Sequence, residues 1–470
     1  MDVAYMKQGG FEAIVARERG LRHTLSARRM AMMAIGGAIG TGLFLGSGFA
    51  IGLAGPAVLV SYGIGAVISL LLMGCLAEMT VAHPTSGSFG AYAEYYLGPL
   101  AGFLVRYAYW TGVVLAVGTE VTAIGQYMHF WFPALPGWAS ILGFSALLVL
   151  INTRSVELFG AVEYWLTAIK IAAIVLFILL AGYVLWRVPA APAGSPGPGF
   201  HNYLDHGGFF PHGLAGAWAA VIVAVFSYFS IEMIAVAAGE AADPQRAITR
   251  AFRSTVLRLI LFYLVTLALV LALVPWTAAG TEQSPFVQVL RTLSIPGAAG
   301  VFNGVILIAA LSAMNSQLYV TSRMMFSLAR AGAAPRALGQ LSNRGVPVRA
   351  LLLSSSGIAV AAVLSVAAPQ SAFILMVSVS AFGAMFTWLM IFVTHYRFRK
   401  VRRAAPTAGF RTVGFPFTTL LGAALMAAVL LTTAFTAAFR MTLAFGLPFL
   451  AVLALAHAVR GRRPSSEGAA

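Results

Sequence analysis

The sequence predicts an all-α integral membrane protein with about twelve transmembrane helices. Three observations lead to this fold class. Of the 470 residues, 60% are hydrophobic and only 9% are charged, whereas soluble proteins carry about 25% charged residues. The mean hydropathy of the chain is +0.87. Long apolar runs follow one another with short polar segments between them, which is the pattern of a chain that crosses a bilayer many times.

Most of the apolar runs reach the length of about 20 residues that a helix needs to cross a bilayer. The fourth and ninth runs are short and rely on flanking residues to complete a span. In chain order, the runs are Met30–Leu53, Gly55–Met79, Leu97–Phe132, Trp138–Asn152, Ala161–Trp186, Leu214–Ala238, Ala251–Val274, Ala298–Leu328, Ala350–Ala367, Ser371–His395, Phe415–Ala438 and Thr442–Val459.

The basic residues indicate the orientation of these runs. Most of the 30 Lys and Arg fall in alternate polar segments, beginning with the segment before the first run. The opposite segments hold only Arg187, Arg291 and Arg440. Because cytoplasmic loops carry the excess of positive charge, we expect a multi-pass protein of the cell (inner) membrane with both termini cytoplasmic. This asymmetry accounts for the net charge of +16 without a nucleic-acid partner.

These boundaries divide the chain into four segments. Residues 1–29 form a cytoplasmic N-terminal segment, and residues 30–395 hold the first ten helices, which form the core. Residues 396–459 contain a cytoplasmic loop and helices 11 and 12, and residues 460–470 form a cytoplasmic tail. The first run is long enough to remain as an anchor, so a cleaved signal peptide is not expected.

The first run contains a stretch that is poorly suited to a continuous helix. Four of the seven residues from Gly36 to Gly42 are glycine, the residue that leaves helical φ and ψ angles most readily. Irregular backbone at mid-membrane must be buried in protein or face a water-filled cavity. A helix broken there presents free N–H groups at the positive end of its second half, which suits a small anion such as a carboxylate. Close packing against a neighbouring helix is the alternative explanation for these glycines.

The sixth run carries a polar patch that matches the break in the first. Between Phe226 and Glu232 it holds two serines and an acid in the middle of a span. The sixth run occupies the same place among helices six to ten that the first occupies among helices one to five. Transporters with two inverted repeats place their site between two such interrupted helices, so the pairing of these patches favours a transporter.

Three ionisable residues stand out within the apolar runs, where such groups are costly and are candidates for function. They are Glu120 in the third run, Lys170 in the fifth and Glu232 in the sixth. A lysine desolvated among apolar neighbours can lose and regain a proton, so Lys170 is a candidate for proton coupling. The alternative is a fixed ion pair. Glu163 lies roughly 10 Å away along the helix axis, so we expect any partner on another helix, with Glu120 and Glu232 as candidates or as members of a proton relay.

The eighth run contains a further polar cluster at mid-depth, Asn315-Ser316-Gln317. A place in the binding site explains this cluster. Hydrogen bonding between helices, which is common in membrane proteins and modest in energy, explains it equally well.

No metal or other cofactor is expected. Cys75 is the single cysteine and lies inside an apolar run, which excludes a thiolate metal site. The longest outer loop carries His201, Asp205, His206 and His212. Their spacing matches no common zinc pattern.

Three other classes of protein fit the sequence less well. A membrane-embedded enzyme needs a catalytic set, and the eight histidines form none. The glycine pattern at Gly37–Gly42 is similar to a dinucleotide fingerprint, but that motif requires a strand before it and here lies inside a spanning run. A channel favours rings of charge or carbonyls along a continuous pore, whereas this sequence has two interrupted spanning runs.

Six segments along the chain carry a family resemblance. They are MAIGGAIGTGLFLGSG (33–48), LAEM (76–79), GSFGAYAEYYLGP (87–99), FG..E.W....K (159–170), AAGEAADPQRAI (237–248) and MNSQLYVTSRMMFSLAR (314–330). Together they resemble the bacterial and fungal amino acid transporter family of the amino acid–polyamine–organocation superfamily. One such match is weak, but six in order are specific. The last two helices are the least distinctive part of the chain.

The resemblance implies a fold and a set of site residues. The fold is a five-plus-five inverted repeat with helices 1 and 6 unwound around the substrate and two further C-terminal helices. The substrate carboxylate is held at the first break, the amino group meets carbonyls of the sixth helix, and helices three and eight line the side-chain pocket. A lysine on helix five takes the place of a sodium ion in proton-coupled relatives. The substrate-binding residues implied are Ile39, Gly40, Thr41, Gly42, Phe226, Ser227, Tyr228 and Phe229, and Lys170 matches the coupling lysine. The polar and ionisable residues within the spans add Glu120, Asn315 and Ser316 as candidates for substrate binding and Glu232 for proton coupling.

The function that follows is a secondary-active, proton-coupled amino acid importer, with a neutral amino acid as the expected substrate. Its partners are the amino acid, protons and the lipid bilayer, and no nucleic acid or cofactor is involved. The alternative is a membrane-embedded sensor that binds an amino acid without transport. Only a measurement of flux separates these two functions.

Overall fold

The structure is a computed structural model that describes residues 10–21, 26–187, 197–240, 244–279, 284–293, 296–368, 371–402 and 410–461. For residues 27, 244–256 and 461 it describes the backbone alone. Residues 1–9 and 462–470, which belong to the predicted N-terminal segment and tail, lie outside the described residues. Within the described ranges the chain is helical and contains no β-strand, since Arg19 and Leu21 form only an isolated bridge.

The long α-helices follow the apolar runs, some shorter ones lie before or between the runs, and short π or 3-10 segments join several helices. The α-helices are α1 (Gly10–Arg17), α2 (Ala27–Ala38), α3 (Ser47–Ala54), α4 (Val58–Ala82), α5 (Ser88–Leu97), α6 (Pro99–His129), α7 (Gly137–Arg154), α8 (Val156–Arg187), α9 (Gly213–Tyr228), α10 (Met233–Ala237), α11 (Pro244–Leu273), α12 (Pro285–Thr292), α13 (Ala298–Arg330), α14 (Val348–Ser354), α15 (Ser356–Ala367), α16 (Ala372–Val401), α17 (Phe417–Thr432) and α18 (Arg440–Gly461).

Nine helical segments in the described ranges are long and apolar enough to cross a membrane. The first of them, Arg28–Ala82, has 55 residues and contains both the first and the second apolar run. Two shorter apolar helices, Leu257–Leu273 and Phe417–Thr432, lie in the seventh and eleventh runs. The predicted class of an all-helical membrane protein is therefore confirmed.

Three long helices, α6, α13 and α16, form the centre of the molecule. The most extensive helix contacts are those of α6 with α16 and with α13. Glycines bring the α6 and α16 backbones together, because a Cβ added at Gly383 would lie 2.1 Å from the carbonyl oxygen of Ala108. Small residues at such a crossing allow two spanning helices to approach closely. This central layer carries residues of the candidate site described below.

The two ends of the central helices define two opposite faces. At one end, α1 packs by Phe11 and Ile14 onto the protein, and its neighbour Glu18 is buried against Ser327 of α13. We call this end the α1 face. At the other end, a cavity of about 990 Å³, which we call the vestibule, is lined by His129 of α6 and Asn303 of α13 among other residues. Which face is cytoplasmic stays a prediction from the charges.

Candidate functional site

The first spanning segment is interrupted in the glycine stretch. Helix α2 ends at Ala38, and Ile39 leaves helical geometry with ψ at 82°. The Gly40 N–H turns back to the carbonyl of Ala38 at 3.1 Å. Helical φ and ψ angles resume at Thr41, and a π-helical turn at Gly42–Gly46 leads into α3. The interruption leaves carbonyl groups at the end of the first half and N–H groups at the start of the second.

The carbonyl end of this break is covered by Lys170 of α8. Its Nζ donates to the carbonyl oxygens of Gly36 at 2.6 Å and Ile39 at 3.0 Å, and the whole side chain is buried. A positive charge at a helix C-terminus is favourable because it opposes the negative end of the helix dipole. The described hydrogen-bond acceptors of Lys170 are therefore two backbone carbonyls, and the nearby acids Glu163 and Glu120 act on it electrostatically.

The N–H end of the break is covered by Glu120 of α6. The Thr41 N–H donates to Glu120 Oε2 at 3.2 Å, and both residues are buried. The Thr41 hydroxyl is buried too and has no hydrogen-bond partner among the described atoms. A buried polar group of this kind normally has a partner. The neighbouring Glu120 carboxyl interacts with this hydroxyl, and a bound molecule could take its place.

The sixth spanning segment is interrupted at the predicted patch. Helix α9 ends at Tyr228, Phe229 takes an extended ψ of 158°, and Ser230 has a φ of +78°. The chain then turns through Glu232 into α10. A positive φ is uncommon for residues other than glycine and is held here by the surrounding contacts.

Glu232 stabilises this second interruption. Its Oε1 accepts hydrogen bonds from the Tyr109 hydroxyl at 2.7 Å and the Ser230 N–H at 3.2 Å. Its Oε2 accepts from the Trp388 indole N–H at 3.1 Å. Glu232 thus connects the broken helix to α6 and α16 and makes no described hydrogen bond with Lys170.

The two interruptions meet each other. A Cβ added at Gly42 would lie 2.9 Å from the Cα of Ser227, so the two backbones touch there. The Tyr263 hydroxyl of α11 lies 2.7 Å from the Ala38 carbonyl oxygen and 2.9 Å from that of Ser227, and it can donate to either. The Tyr62 and Ser227 hydroxyls are 2.9 Å apart. These contacts join the two breaks into one site.

A small cavity lies at this junction. Its free volume is about 30 Å³, which is room for about two water molecules. The lining includes residues of both breaks and of the central helices, among them Gly40, Gly42, Phe226, Phe229, Glu120, Glu232 and Gln317. An amino acid is larger than this cavity, so the two breaks must separate to admit one.

Two predicted residues of α13 have other partners. The Asn315 amide donates to Glu163 Oε2 at 2.9 Å, and its oxygen accepts from Asn152 at 2.7 Å. The Ser316 hydroxyl is buried without a described partner and is not among the residues that line the cavity. The residue of this cluster that does line it is Gln317, whose side-chain oxygen is also without a described partner.

Several residues of the site were missed by the sequence reasoning. Glu163 lies beside the first break, because a Cβ added at Gly36 would lie 2.0 Å from its Oε1. Tyr109, Tyr263 and Trp388 hold the breaks by hydrogen bonds. Glu163 carried a signal, as an acid within an apolar run. The aromatic residues carried none, because buried Tyr and Trp occur throughout membrane helices.

Comparison with known proteins shows the family of the chain. The amino acid permease family model matches residues 29–462. The chain belongs to the amino acid permease family. Among its relatives is an amino acid permease of Bacillus subtilis, YtnA, described as uncharacterized, which is 37% identical over 438 residues, or 93% of this chain and 94% of the relative.

Two further members of the permease family have named substrates. The gamma-aminobutyric acid permease of Bacillus subtilis is 36% identical over 455 residues, or 96% of each chain. The aromatic amino acid transport protein AroP of Salmonella typhimurium is 38% identical over 412 residues, or 87% of this chain and 89% of the relative. These relatives are permeases, not enzymes, and amino acid transport across a membrane is the activity of the family.

Proposed function

We propose that this permease is a secondary-active, proton-coupled importer of a neutral amino acid. One observation carries the proposal. Two interrupted helices meet backbone to backbone, at Gly42 and Ser227, beside a buried cavity. Transporters built from two inverted repeats bind their substrates between two such helices. We assign the chain on this basis to a five-plus-five repeat with helices 1 and 6 unwound and two additional C-terminal helices.

The substrate carboxylate would bind at the N–H end of the first break. Thr41 and Gly42 supply amides, and the Gly40 amide would join them on release from the Ala38 carbonyl. The Thr41 hydroxyl supplies a further donor. The α-amino group would meet the carbonyl groups released where α9 ends, between Phe226 and Phe229. The carbonyl of Ile39 is already bonded to Lys170, so Ile39 has a supporting role.

The remaining predicted residues divide by their place in the structure. Glu120 and Glu232 line the cavity and are candidates for direct contact with the substrate. Tyr228 and Ser227 hold the sixth break through Tyr62. Asn315 and Ser316 lie on the helix that supports the first break and would act on the substrate through it.

A neutral substrate agrees with the named substrates of the relatives. The printed substrates of two relatives, gamma-aminobutyric acid and aromatic amino acids, carry one positive and one negative charge at neutral pH. A zwitterion of this kind adds no net charge to the site.

Lys170 supports proton coupling by its position. Its ammonium group bridges two carbonyls of the broken helix, so loss of its proton would remove one donor and the charge that opposes the helix dipole. Protonation would then change the relative stability of the conformational states. A proton drives transport only through such a difference between states.

Uptake into proteoliposomes tests the proposal. The purified protein is given a panel of radiolabelled amino acids under an imposed pH gradient or an imposed sodium gradient. Accumulation of one or a few neutral amino acids under the pH gradient alone is the expected result. Accumulation driven by sodium would overturn proton coupling, and binding without flux would identify a sensor.

The variant Lys170→Ala separates coupling from binding. It should lose accumulation under a pH gradient and retain exchange of internal for external substrate, because exchange needs no net proton movement. Lys400→Ala is the matched control, since Lys400 is an exposed lysine at the end of α16 that lies over the Tyr396 ring. Unchanged dependence of Lys170→Ala on the pH gradient would refute the role of the lysine.

A further inference from the structure

Both ends of the first break are occupied by charged side chains of the protein itself. The ammonium of Lys170 lies on the carbonyl end, and the carboxylate of Glu120 lies on the N–H end. Each charge opposes the helix dipole at its own end. The Glu120 carboxylate is thus bonded to Thr41, one of the three amides assigned above to the carboxylate of the substrate.

The absence of a side chain at Gly40 leaves room for Glu120 beside the first break. A Cβ added at Gly40 would lie 2.8 Å from both Ala313 Cβ and Glu120 Oε1, so glycine leaves room for both side chains beside the break. Glu120 is only 3% exposed and reaches the break from α6. A substrate carboxylate of the same chemistry therefore competes with Glu120 for Thr41.

The charges around the break determine which substrates can displace Glu120 from the Thr41 N–H. In the described part of the chain, Lys170 has two acids within electrostatic range, Glu163 and Glu120. Glu232 lines the same cavity. No base lines this cavity in the described part of the chain, so a carboxylate brought in without an ammonium group finds no opposite charge there, and burying it unpaired is costly.

We propose that Glu120 occupies the Thr41 amide as an internal stand-in for the substrate carboxylate and moves to the substrate's ammonium group when the substrate binds. After the exchange both carboxyl groups have a partner. The substrate carboxylate accepts a hydrogen bond from the Thr41 N–H, and Glu120 accepts one from the substrate's ammonium group. A carboxylic acid without an amino group offers Glu120 no new partner and is rejected. This inference rests on the proposed function, because it assumes that an amino acid binds at the break.

The first arm of the test uses no ligand. Hydrogen–deuterium exchange is measured on the full-length protein in lipid nanodiscs, for the wild type, Glu120→Ala and Glu232→Ala. Glu120→Ala should speed exchange at residues 41–45, because the Thr41 N–H loses its acceptor. Glu232→Ala, which removes the other acid of the cavity, should change exchange near residue 230 instead. Unchanged exchange at residues 41–45 in Glu120→Ala would overturn the occupancy of the amide by Glu120.

The second arm measures binding of matched pairs of compounds. The pairs are phenylalanine with 3-phenylpropionate and γ-aminobutyrate with butyrate, and the variant is Glu120→Gln, which keeps the shape of the side chain and removes its charge. We expect the simple carboxylates to bind about tenfold tighter to Glu120→Gln than to the wild type, and the amino acids to bind about tenfold more weakly. Shifts of both classes in the same direction, or no shift, would overturn the exchange.

The two arms distinguish this inference from the function on which it rests. If the wild type neither binds nor transports any amino acid of the panel, the proposed function fails, and the exchange of partners fails with it. The ligand-free arm then still decides whether Glu120 holds the first break. If the wild type transports an amino acid and Glu120→Gln weakens binding of both compound classes alike, the function stands and this inference is wrong.

Discussion

Gly42 is the residue at which the two interrupted helices touch. The Cα of Ser227 lies 2.9 Å from the place of a Cβ at Gly42, which is closer than van der Waals contact permits. Gly42→Ala should therefore force the two breaks apart and lower uptake at least about tenfold, and the larger, β-branched Gly42→Val should abolish it. Initial rates of uptake in proteoliposomes, normalised to the reconstituted protein, measure the effect.

Gly63 provides the control for this substitution. It lies in α4, and a Cβ added there meets no atom within 4 Å. Gly63→Ala should transport like the wild type. Normal transport by Gly42→Val would contradict the placement of the substrate site at the contact between the two breaks.

His83, just beyond the end of α4, is a second residue with a specific expectation. Burial and, to a smaller extent, the charge of Arg402 together lower the pKa of His83 to about 4. The Tyr96 hydroxyl lies 2.7 Å from His83 Nε2. The imidazole is therefore neutral in the folded protein over the physiological range of pH.

The effect of His83 on stability follows from the sign of this shift. Below the ordinary value of about 6.5 the unfolded chain binds a proton that the folded protein does not, so the stability falls as the pH falls from about 6.5 toward 4. The melting temperature of the purified protein should drop by several degrees over that range, and His83→Gln should show a smaller drop. A drop of equal size in the variant would contradict the assignment.

At the scale of elements, the segment that carries α1 is held against the central helices by Glu18. Glu18, which follows α1, accepts hydrogen bonds from Thr85 Oγ1 at 2.6 Å, the Gly87 N–H at 2.7 Å and Ser327 Oγ at 2.6 Å. Arg106 lies 3.8 Å from Glu18. The acid joins the chain before the first spanning segment to the loop after α4 and to the end of α13. Movement of the segment that carries α1 and Glu18 away from the centre therefore requires these bonds to break.

Loss of the Glu18 carboxylate should favour opening at the α1 face. Ala235 is fully buried in α10, which packs on α2, so a thiol introduced by Ala235→Cys reports that opening. Cys75 is buried and contributes little background. Adding Glu18→Ala should raise the rate of maleimide labelling of the Ala235→Cys protein several-fold, whereas Glu12→Ala, which removes an exposed acid of the same helix, should not. Equal rates in the two backgrounds would show that Glu18 does not hold this face closed.

Elements differ in how far the sequence alone predicts them. The eighth apolar run was placed at Ala298–Leu328, and α13 spans Ala298–Arg330, because hydropathy and length decide where a spanning helix lies. The N-terminal segment was predicted only as a polar segment, and α1 with its buried Glu18 was missed. A buried acid in a polar stretch gives no signal in the sequence, since its partners lie as far away in the chain as Ser327.

The same limit applies within the candidate site. The glycine stretch indicates a break because it depends on local backbone preference, and the structure places the interruption at Ile39 and Gly40. The partners of Lys170 were expected among acids on other helices, and its described hydrogen-bond acceptors are the carbonyls of Gly36 and Ile39. No local rule predicts a backbone acceptor more than about a hundred residues away in the chain.

At the scale of the whole molecule, the central helices connect two faces that differ in access. Arg106 and His129 of α6 are about 35 Å apart at 1.5 Å per residue. Arg106 lies in the closed network at the α1 face, and His129 lines the vestibule. The small cavity between the breaks lies between these two ends. The structure therefore has a closed network at the α1 face and a large open cavity at the opposite end.

This arrangement makes a prediction for the orientation in the cell. The charge distribution predicts that the α1 face is cytoplasmic, so the vestibule should face outward. Ser365 lines the vestibule and Ala13 is exposed on α1, which makes Ser365→Cys and Ala13→Cys suitable reporters above the background of the buried Cys75. In intact cells a membrane-impermeant maleimide should label Ser365→Cys, and it should label Ala13→Cys only after permeabilisation. The reverse pattern would mean that the chain is inverted in the membrane, and that the proposed importer meets its substrate first at the α1 face.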